Sequence, residues 1–246
     1  MKLYITFNFE CDNCVNIYNQ IKKKYNYLIT NYIEESTHII VIGGDGYLLV
    51  CLNKFISYNK KFYGINGGTK GKILNKFSLN TLIDDINNSD IVTVSPLQVN
   101  IGNDIKYAFN EVSIIRKSPQ TTHLNINIDK NNIKLIGDGV IISTALGSSG
   151  YNYSAGGPIL PIKSNLISLT PICCFDPKYW KGSIIDNFTE ISVSVIDKIK
   201  RPVTLNIDNL SYESIENIKI NYSNIKITLL YKNFNKFNFD RHFNNF

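Results

Sequence analysis

Gly43-Gly44-Asp45-Gly46 follows the apolar run His38-Ile39-Ile40-Val41-Ile42 and sets a carboxylate inside a glycine turn at the end of a predicted strand. Glycines let the backbone take positive φ and bring main-chain N–H groups close to a ligand, where a Cβ would stand in the way. An acid held there can meet a hydroxyl or a metal, so the stretch suits phosphate chemistry. The residues from Tyr47 to Ser57 read as a helix, and a helix N-terminus adds partial positive charge beneath an anion. A structural turn has the same composition, so the tetrapeptide alone leaves both readings open.

Four further segments combine glycines or amides with polar side chains. Gly64-Ile65-Asn66-Gly67-Gly68-Thr69-Lys70-Gly71 follows another predicted strand and offers backbone donors plus one cation, Lys70, or else a flexible loop. Asn110-Glu111 follows the extended Tyr107-Ala108-Phe109. It pairs an amide able to read a base edge with a carboxylate able to grip a ribose hydroxyl. Gly137-Asp138-Gly139 repeats the acid between glycines, which a hairpin turn would also do. The longest segment runs from Ser143 to Leu160 and contains Gly147-Ser148-Ser149-Gly150-Tyr151-Asn152-Tyr153-Ser154. Its small hydroxyl residues and glycines leave room for a ligand on which Tyr151 can stack.

These segments need elements to hold them. Residues 1–95 alternate strand and helix patterns: extended at 3–7, 37–42 and 62–65, helical at 15–25, 47–57 and 79–86. That order predicts an α/β domain with a parallel, Rossmann-like sheet flanked by helices. From about Val92 to Tyr231 the pattern changes to many short β-rich runs separated by turn residues, which predicts an all-β, sandwich-like domain. The expected boundaries are 1–95 for the first domain, 96–232 for the second, and 233–246 for a tail that packs back on the first. With no linker between them, the domains are expected to pack closely, and the cleft is the default ligand site.

Composition narrows the classes. A hydrophobic share of 43% and a charged share of 19% describe a folded globule, and 246 residues allow one large domain or two small ones. The net charge of +6 suits an anionic ligand, but the only tight basic run is Lys22-Lys23-Lys24, so no nucleic-acid partner is expected. No apolar stretch reaches the roughly 20 residues of a membrane span, and the start lacks the apolar centre of a signal peptide, which predicts a cytoplasmic protein without a membrane partner. Five cysteines form no disulfide framework. Cys11-Asp12-Asn13-Cys14 has the spacing of half a zinc site or a redox pair, but no second Cys or His pair completes it, and free thiols are expected.

Taken together and in order, Gly43-Gly44-Asp45-Gly46, Gly64-Ile65-Asn66 with Gly68-Thr69, Asn110-Glu111, Gly137-Asp138-Gly139 and the stretch from Gly147 to Pro158 resemble the NAD kinase family. Leu169-Thr170-Pro171-Ile172, Lys178-Tyr179-Trp180-Lys181-Gly182 and Arg201-Pro202-Val203 resemble its short alphaproteobacterial form. The resemblance implies an α/β domain followed by an all-β domain, and transfer of the γ-phosphoryl group of ATP to the 2′-hydroxyl of the adenosine ribose of NAD. It implies Asp45 as proton acceptor, Gly43 and Gly44 beneath the donor phosphates, and Gly46 against the dinucleotide. Asn66 belongs to the same nucleotide-binding set, and Asn110 and Glu111 would hold the adenosine portion. Asp138 with Ser149, Gly150, Tyr151, Asn152, Tyr153 and Ser154 would line the NAD site, and His123 falls near a substrate-touching position. Mg²⁺ or another divalent cation would come with ATP, no residue is a resident metal ligand, and a homodimer or homotetramer is expected. The chain departs from the family at Tyr47, Ala145, Ser149-Gly150 and Asp208-Asn209. A dinucleotide-binding sensor without turnover, or a related kinase with another acceptor, are the alternatives.

Overall fold

The computed structural model describes residues 1–69 and 71–243; Lys70, the cation expected in the glycine loop, and residues 244–246 of the expected tail lie outside them. The chain forms two compact units, one of residues 1–94 with the segment from Ile225 onward, the other of Ser95–Asn224.

The first unit opens with β1 (Leu3–Phe7), α1 (Asp12–Tyr25), β2 (His38–Gly43), α2 (Asp45–Lys54), β3 (Lys61–Asn66), α3 (Leu82–Asn87) and β4 (Asp90–Val94). The second comprises β5 (Leu97–Ile101), β6 (Asp104–Ala108), β7 (Glu111–Arg116), β8 (Thr122–Ile128), β9 (Asn131–Gly137), β10 (Gly139–Thr144), the short helix α4 (Tyr151–Ser154), β11 (Leu166–Ile172), β12 (Ser183–Asp186), β13 (Ile191–Ile196), β14 (Val203–Ile207), β15 (Leu210–Tyr212) and β16 (Asn217–Tyr222). The chain then returns to the first unit with β17 (Ile227–Tyr231) and α5 (Phe234–Phe243).

In the first unit the strand order is β1-β2-β3-β17-β4, with β1, β2, β3 and β17 parallel and β4 antiparallel to β17. Strand side chains alternate between faces. Ile40, Ile42, Tyr63 and Ile65 share a core with Cys14, Ile17 and Ile21 of α1 and with Leu82 and Ile86 of α3. Thr6 points the other way, to Tyr47 of α2. The helices therefore cover both faces, as a sheet of near-continuous apolar strands requires.

Two boundaries differ from expectation. The segment 225–232, expected in the β-rich domain, supplies β17 between β3 and β4. Its burial on Ile227, Leu229, Leu230 and Tyr231 suits an interior strand of either sheet type, so composition could not assign it. The buried amide of Asn75 clasps it in place: Nδ2 donates to the carbonyls of Gly64 and Leu230, and Oδ1 accepts from Lys232 N. Helix α2 starts at Asp45, two residues earlier than the periodicity predicts, because Gly44 is its extended N-cap and Asp45 its first helical residue. After β17, α5 stacks Phe237 on Tyr231 at 4.2 Å, and Phe234 N donates to Asp90.

The second unit is two antiparallel six-stranded sheets, β12-β11-β10-β7-β14-β15 and β6-β5-β16-β13-β8-β9. Both contribute to one apolar core, with Val112, Ile114, Val140 and Ile142 from the first and Val99, Leu124, Ile126 and Val193 from the second. The three central strands β10, β7 and β14 matter most here. The end of β10, the start of β7 and the end of β14 meet at one edge, where Ser143 lies opposite Glu111 and Ile207 opposite Val112.

Candidate active site

In the first unit, the turn between β2 and α2 holds the acid. Asp45 occupies the first turn of a ten-residue helix, where a carboxylate is favoured by the helix dipole. Its Oδ2 accepts from Lys72 N at 2.8 Å and its Oδ1 from Ile73 N at 3.2 Å, so a separate loop fixes the carboxylate's orientation. Burial raises its pKa, against the opposing pull of those two amides. Gly43 carries the same strand register as Asn66 of β3, and its carbonyl accepts from Gly67 N. Asn66 turns its own loop, with Oδ1 accepting from Gly68 N at 3.0 Å. Gly44 and Gly46 both have open space where a Cβ would sit, and Gly46 is exposed. Tyr47 ties the turn to β1: its hydroxyl donates to Phe7 O and bonds Thr6 Oγ1 at 2.7 Å, while its ring lies against Gly43.

The second unit gathers Asn110, Glu111, Gly150 and Tyr151 at the shared edge of β10, β7 and β14. Asn110 O is fixed by Thr144 N and Ser143 Oγ, and Gly147 packs so closely on the Asn110 backbone that any Cβ would collide with it. The buried side-chain atoms Asn110 Oδ1 and Glu111 Oε2 have no hydrogen-bond partner among the described residues. Such atoms cost stability unless something else satisfies them, and they are rare in native folds. Gly150 faces both side chains: a Cβ there would stand 3.6 Å from Glu111 Oε2 and 3.9 Å from Asn110 Nδ2. The missing methyl leaves space beside the unpartnered Glu111 Oε2 and the Asn110 side-chain amide.

Glu111 has its pKa pushed up to about 7, first by burial and then by the charge of Asp208. Asp208 sits just past β14 and accepts from Phe109 N (2.8 Å), Asn110 N (2.8 Å) and Glu111 N (3.2 Å). Its own N–H returns to Glu111 O. Burial lifts the Asp208 pKa to about 6, while the three amides favour its ionised form. Asp208 is thus the residue that sets the Asn110-Glu111 backbone. In the sequence it stands out only as half of an altered Asp-Gly pair; a polar residue at a strand end marks a turn, and nothing local tells which distant amides it binds.

The other expected residues fall into distinct groups. Tyr151 is partly exposed, and Cys173, Glu111 and Asp138 all act on its phenol to raise its pKa, after burial. Asp138 crosses from one sheet of the sandwich to the other between β9 and β10, paired to Arg116 Nε at 2.6 Å. Ser149 is buried in the one-turn helix Gly147–Ser149, and Tyr153 and Ser154 lie along α4, with Ser154 Oγ donating to Gly150 O. Asn152 departs from expectation: it is fully buried, its Nδ2 donates to Ser148 O and Pro158 O, and its Oδ1 accepts from Thr170. Its polar atoms hold the loop shut on itself and are already engaged. His123 lies on β8 of the opposite sheet, on the row of Asn125 and Asn127 that alternates with the core-facing Leu124 and Ile126. That position sets it on a different sheet from Asn110 and Glu111.

Comparisons with known proteins place the chain among relatives. The ATP-NAD kinase C-terminal domain family matches residues 109–220, which begin just before Asn110-Glu111 and include Asp208. An NAD kinase of Rickettsia felis is 38% identical over 212 residues, covering 83% of this chain and 82% of that protein. An NAD kinase of Rickettsia canadensis is 36% identical over 223 residues, with 87% and 86% covered. Among solved structures, yeast NADH kinase complexed with NADH has a TM-score of 0.82 at 18% identity, covering all of this chain and 86% of that one. An NAD kinase from Archaeoglobus fulgidus in complex with ATP has a TM-score of 0.79 at 20% identity, covering all of this chain and 97% of that one. At those identities the structural likeness speaks for the fold.

Proposed function

The chain belongs to the NAD kinase family, and on that premise we infer that it transfers the γ-phosphoryl group of ATP to the 2′-hydroxyl of the adenosine ribose of NAD, giving NADP. The observation that carries the assignment is the pair of buried, unpartnered oxygens on Asn110 and Glu111, with Gly150 leaving space against Glu111 Oε2 and the Asn110 amide. A nucleoside answers both: base N–H groups can donate to Asn110 Oδ1, and ribose hydroxyls can donate to Glu111 Oε2. Tyr151, partly exposed near the same carboxylate, offers an aromatic face to a ring.

In the transfer, the bond from the γ-phosphorus to the bridging β,γ-oxygen breaks and a bond to the ribose O2′ forms. Such reactions pass through a loose transition state with little need for early deprotonation, so alignment matters more than basicity. Asp45 supplies alignment: its carboxylate is oriented by the Lys72 and Ile73 amides, leaving further lone pairs to accept from the 2′-hydroxyl. Its raised pKa improves it as a proton acceptor late in the step. The backbone around Gly43, Gly44 and Gly46, at the N-terminus of α2, suits the donor phosphates.

Among the described residues no group of three His, Cys, Asp or Glu side chains converges to hold a metal. Asp45 by itself fits a cation that arrives on the nucleotide, because Mg²⁺ is commonly held by one or two carboxylates together with substrate phosphates. Mg-ATP is accordingly the donor substrate we assign. The described helices include none long and apolar enough to cross a membrane, and we place the enzyme in the cytoplasm as a homo-oligomer. The Rossmann-like character of the first unit is part of the same proposal.

The test is NADP formation from NAD and Mg-ATP by the purified chain, run beside NAD calorimetry. Production of NADP supports the assignment. Binding of NAD without product would replace it with a sensor, and neither product nor binding would point to a different acceptor.

A further inference from the structure

The first unit carries a thiol pair that the transfer reaction does not use. Cys11 is the N-cap of α1 and Cys14 lies in that helix's first turn; Cys14 N donates to Cys11 Sγ at 3.4 Å. Cys11 is partly exposed and Cys14 is buried. Both sulfurs abut one residue of the neighbouring glycine loop. Cys11 Sγ donates to Gly67 O at 3.5 Å, Asn13 Nδ2 donates to the same carbonyl at 2.9 Å, and a Cβ on Gly67 would collide with Cys14 Sγ. Gly67 N in turn donates to Gly43 O, the first residue of the turn that holds Asp45. A short run of direct contacts therefore joins the two thiols to that turn.

We propose that Cys11 and Cys14 are a thiol–disulfide site, oxidised by small-molecule disulfides such as glutathione disulfide, whose closure displaces Gly67 and lowers turnover. The effect on turnover rests on the phosphoryl-transfer assignment; formation of the bond does not. The two cysteines have unequal roles. Hydrogen bonds from Cys14 lower the Cys11 pKa, whereas burial pushes Cys14 up to about 12. An exposed, more acidic thiol is the one that attacks, and a buried neighbour is the one that resolves. The Cys11 thiolate attacks one sulfur of glutathione disulfide; the S–S bond breaks, and one glutathione leaves as a thiolate that takes up a proton. Cys14 then loses its proton to solvent, attacks Cys11 Sγ and expels the second glutathione. Two protein thiols become one disulfide while one glutathione disulfide becomes two glutathiones.

Closure draws the sulfurs to roughly 2 Å from each other. It removes the Cys11 S–H from Gly67 O and shifts the sulfur against which Gly67 packs. Exposed Cys173 can also react, so activity alone does not assign the site. The deciding readout is the tryptic peptide from Leu3 to Lys22, which contains both cysteines and no other.

The full chain is equilibrated in glutathione redox buffers, acid-quenched, alkylated and digested. The expected result is a peptide two hydrogens lighter than the dithiol and unalkylated, with turnover falling several-fold and returning on addition of dithiothreitol. Cys11→Ser keeps an N-capping oxygen and should fold and turn over normally while resisting the loss; Cys14→Ser should resist it too. A peptide that stays dialkylated, or that carries separate glutathiones on each cysteine, overturns the proposal. A closed disulfide with unchanged turnover overturns its coupling to the Asp45 turn. If the reduced protein makes no NADP at all, the phosphoryl-transfer assignment fails while the peptide mass still decides whether the thiol site exists.

Discussion

Asp45 in the first unit and Glu111 in the second are acids held in opposite ways. Both carboxylate oxygens of Asp45 already accept backbone N–H groups, from Lys72 and Ile73. Glu111 Oε2 is buried and accepts nothing from the described residues. An acid that must be aimed needs its orientation set before substrate arrives, and preorganised donors do that without reorganisation during the step. An acid that must recognise gains more from waiting, because the ligand's hydroxyls then relieve a penalty the free protein bears. On the proposed roles, the contrast teaches that satisfaction in the free state separates positioning for chemistry from readiness to bind.

Four substitutions break or sharpen this contrast. The largest effect is expected from Asp45→Asn, which keeps the shape but places an amide where the hydroxyl must donate. We expect kcat in the NADP-forming assay to fall by at least about 10²-fold with NAD affinity little changed. A variant with near-normal kcat would remove Asp45 from the chemistry.

Next comes Asp208→Asn, which keeps an acceptor for some of the three amides but removes the charge that raises the Glu111 pKa. The KM for NAD should rise about tenfold, for the loss of roughly one charge-assisted interaction. The pH at which NAD binding improves should also move downward. A KM increase with an unmoved pH profile would mean that Asp208 acts through backbone packing alone.

Glu111→Gln isolates the acid proposed to grip the nucleotide and has two signatures. Without ligand, a carboxyl that titrates near 7 when folded and near its ordinary value, about 4.3, when unfolded binds more protons in the native state throughout that window. Its contribution to stability is therefore complete below the unfolded pKa and lost as pH rises to about 7, at most about 4 kcal/mol. Thermal melts of Glu111→Gln should lack that part of the decline. With ligand, the KM for NAD should rise about tenfold at pH 8 relative to the parent enzyme.

The smallest effect is expected from Tyr47→Phe. It removes the hydroxyl that ties the Asp45 turn to Thr6 and Phe7 while keeping the ring against Gly43. About 1 to 2 kcal/mol of stability should be lost, a few degrees in Tm, with kcat reduced no more than a few-fold. A collapse of activity would place Tyr47 in the site itself.

Much of this layout was legible from local pattern. The β2 apolar run ending in Gly43-Gly44-Asp45-Gly46, and the change from alternating helix and strand to short strands, each rest on a few adjacent residues. What was not legible depended on distant pairing. The run from Ile227 to Tyr231 has the composition of any buried strand, and only the Asn75 clasp and its neighbours β3 and β4 assign it to the first sheet. Asn152 carried the residue type of a ligand contact, yet Thr170, Ser148 and Pro158 engage all of its polar groups. Asp208 carried the type of a turn residue, yet its three partners lie almost a hundred positions earlier.

The most direct test of nucleotide recognition by the unsatisfied acid is NAD calorimetry from pH 6 to pH 8, in buffers of different ionisation enthalpy, on the parent chain and on Glu111→Gln. Ribose hydroxyls that donate to Glu111 require its ionised form. Binding near pH 6 should then release up to one proton, and affinity should rise by nearly tenfold toward pH 8 as the carboxyl titrates near 7. Both effects should vanish in Glu111→Gln. Binding in the parent chain with no proton release and no pH dependence would contradict the assignment of Glu111 as the residue that grips the nucleotide.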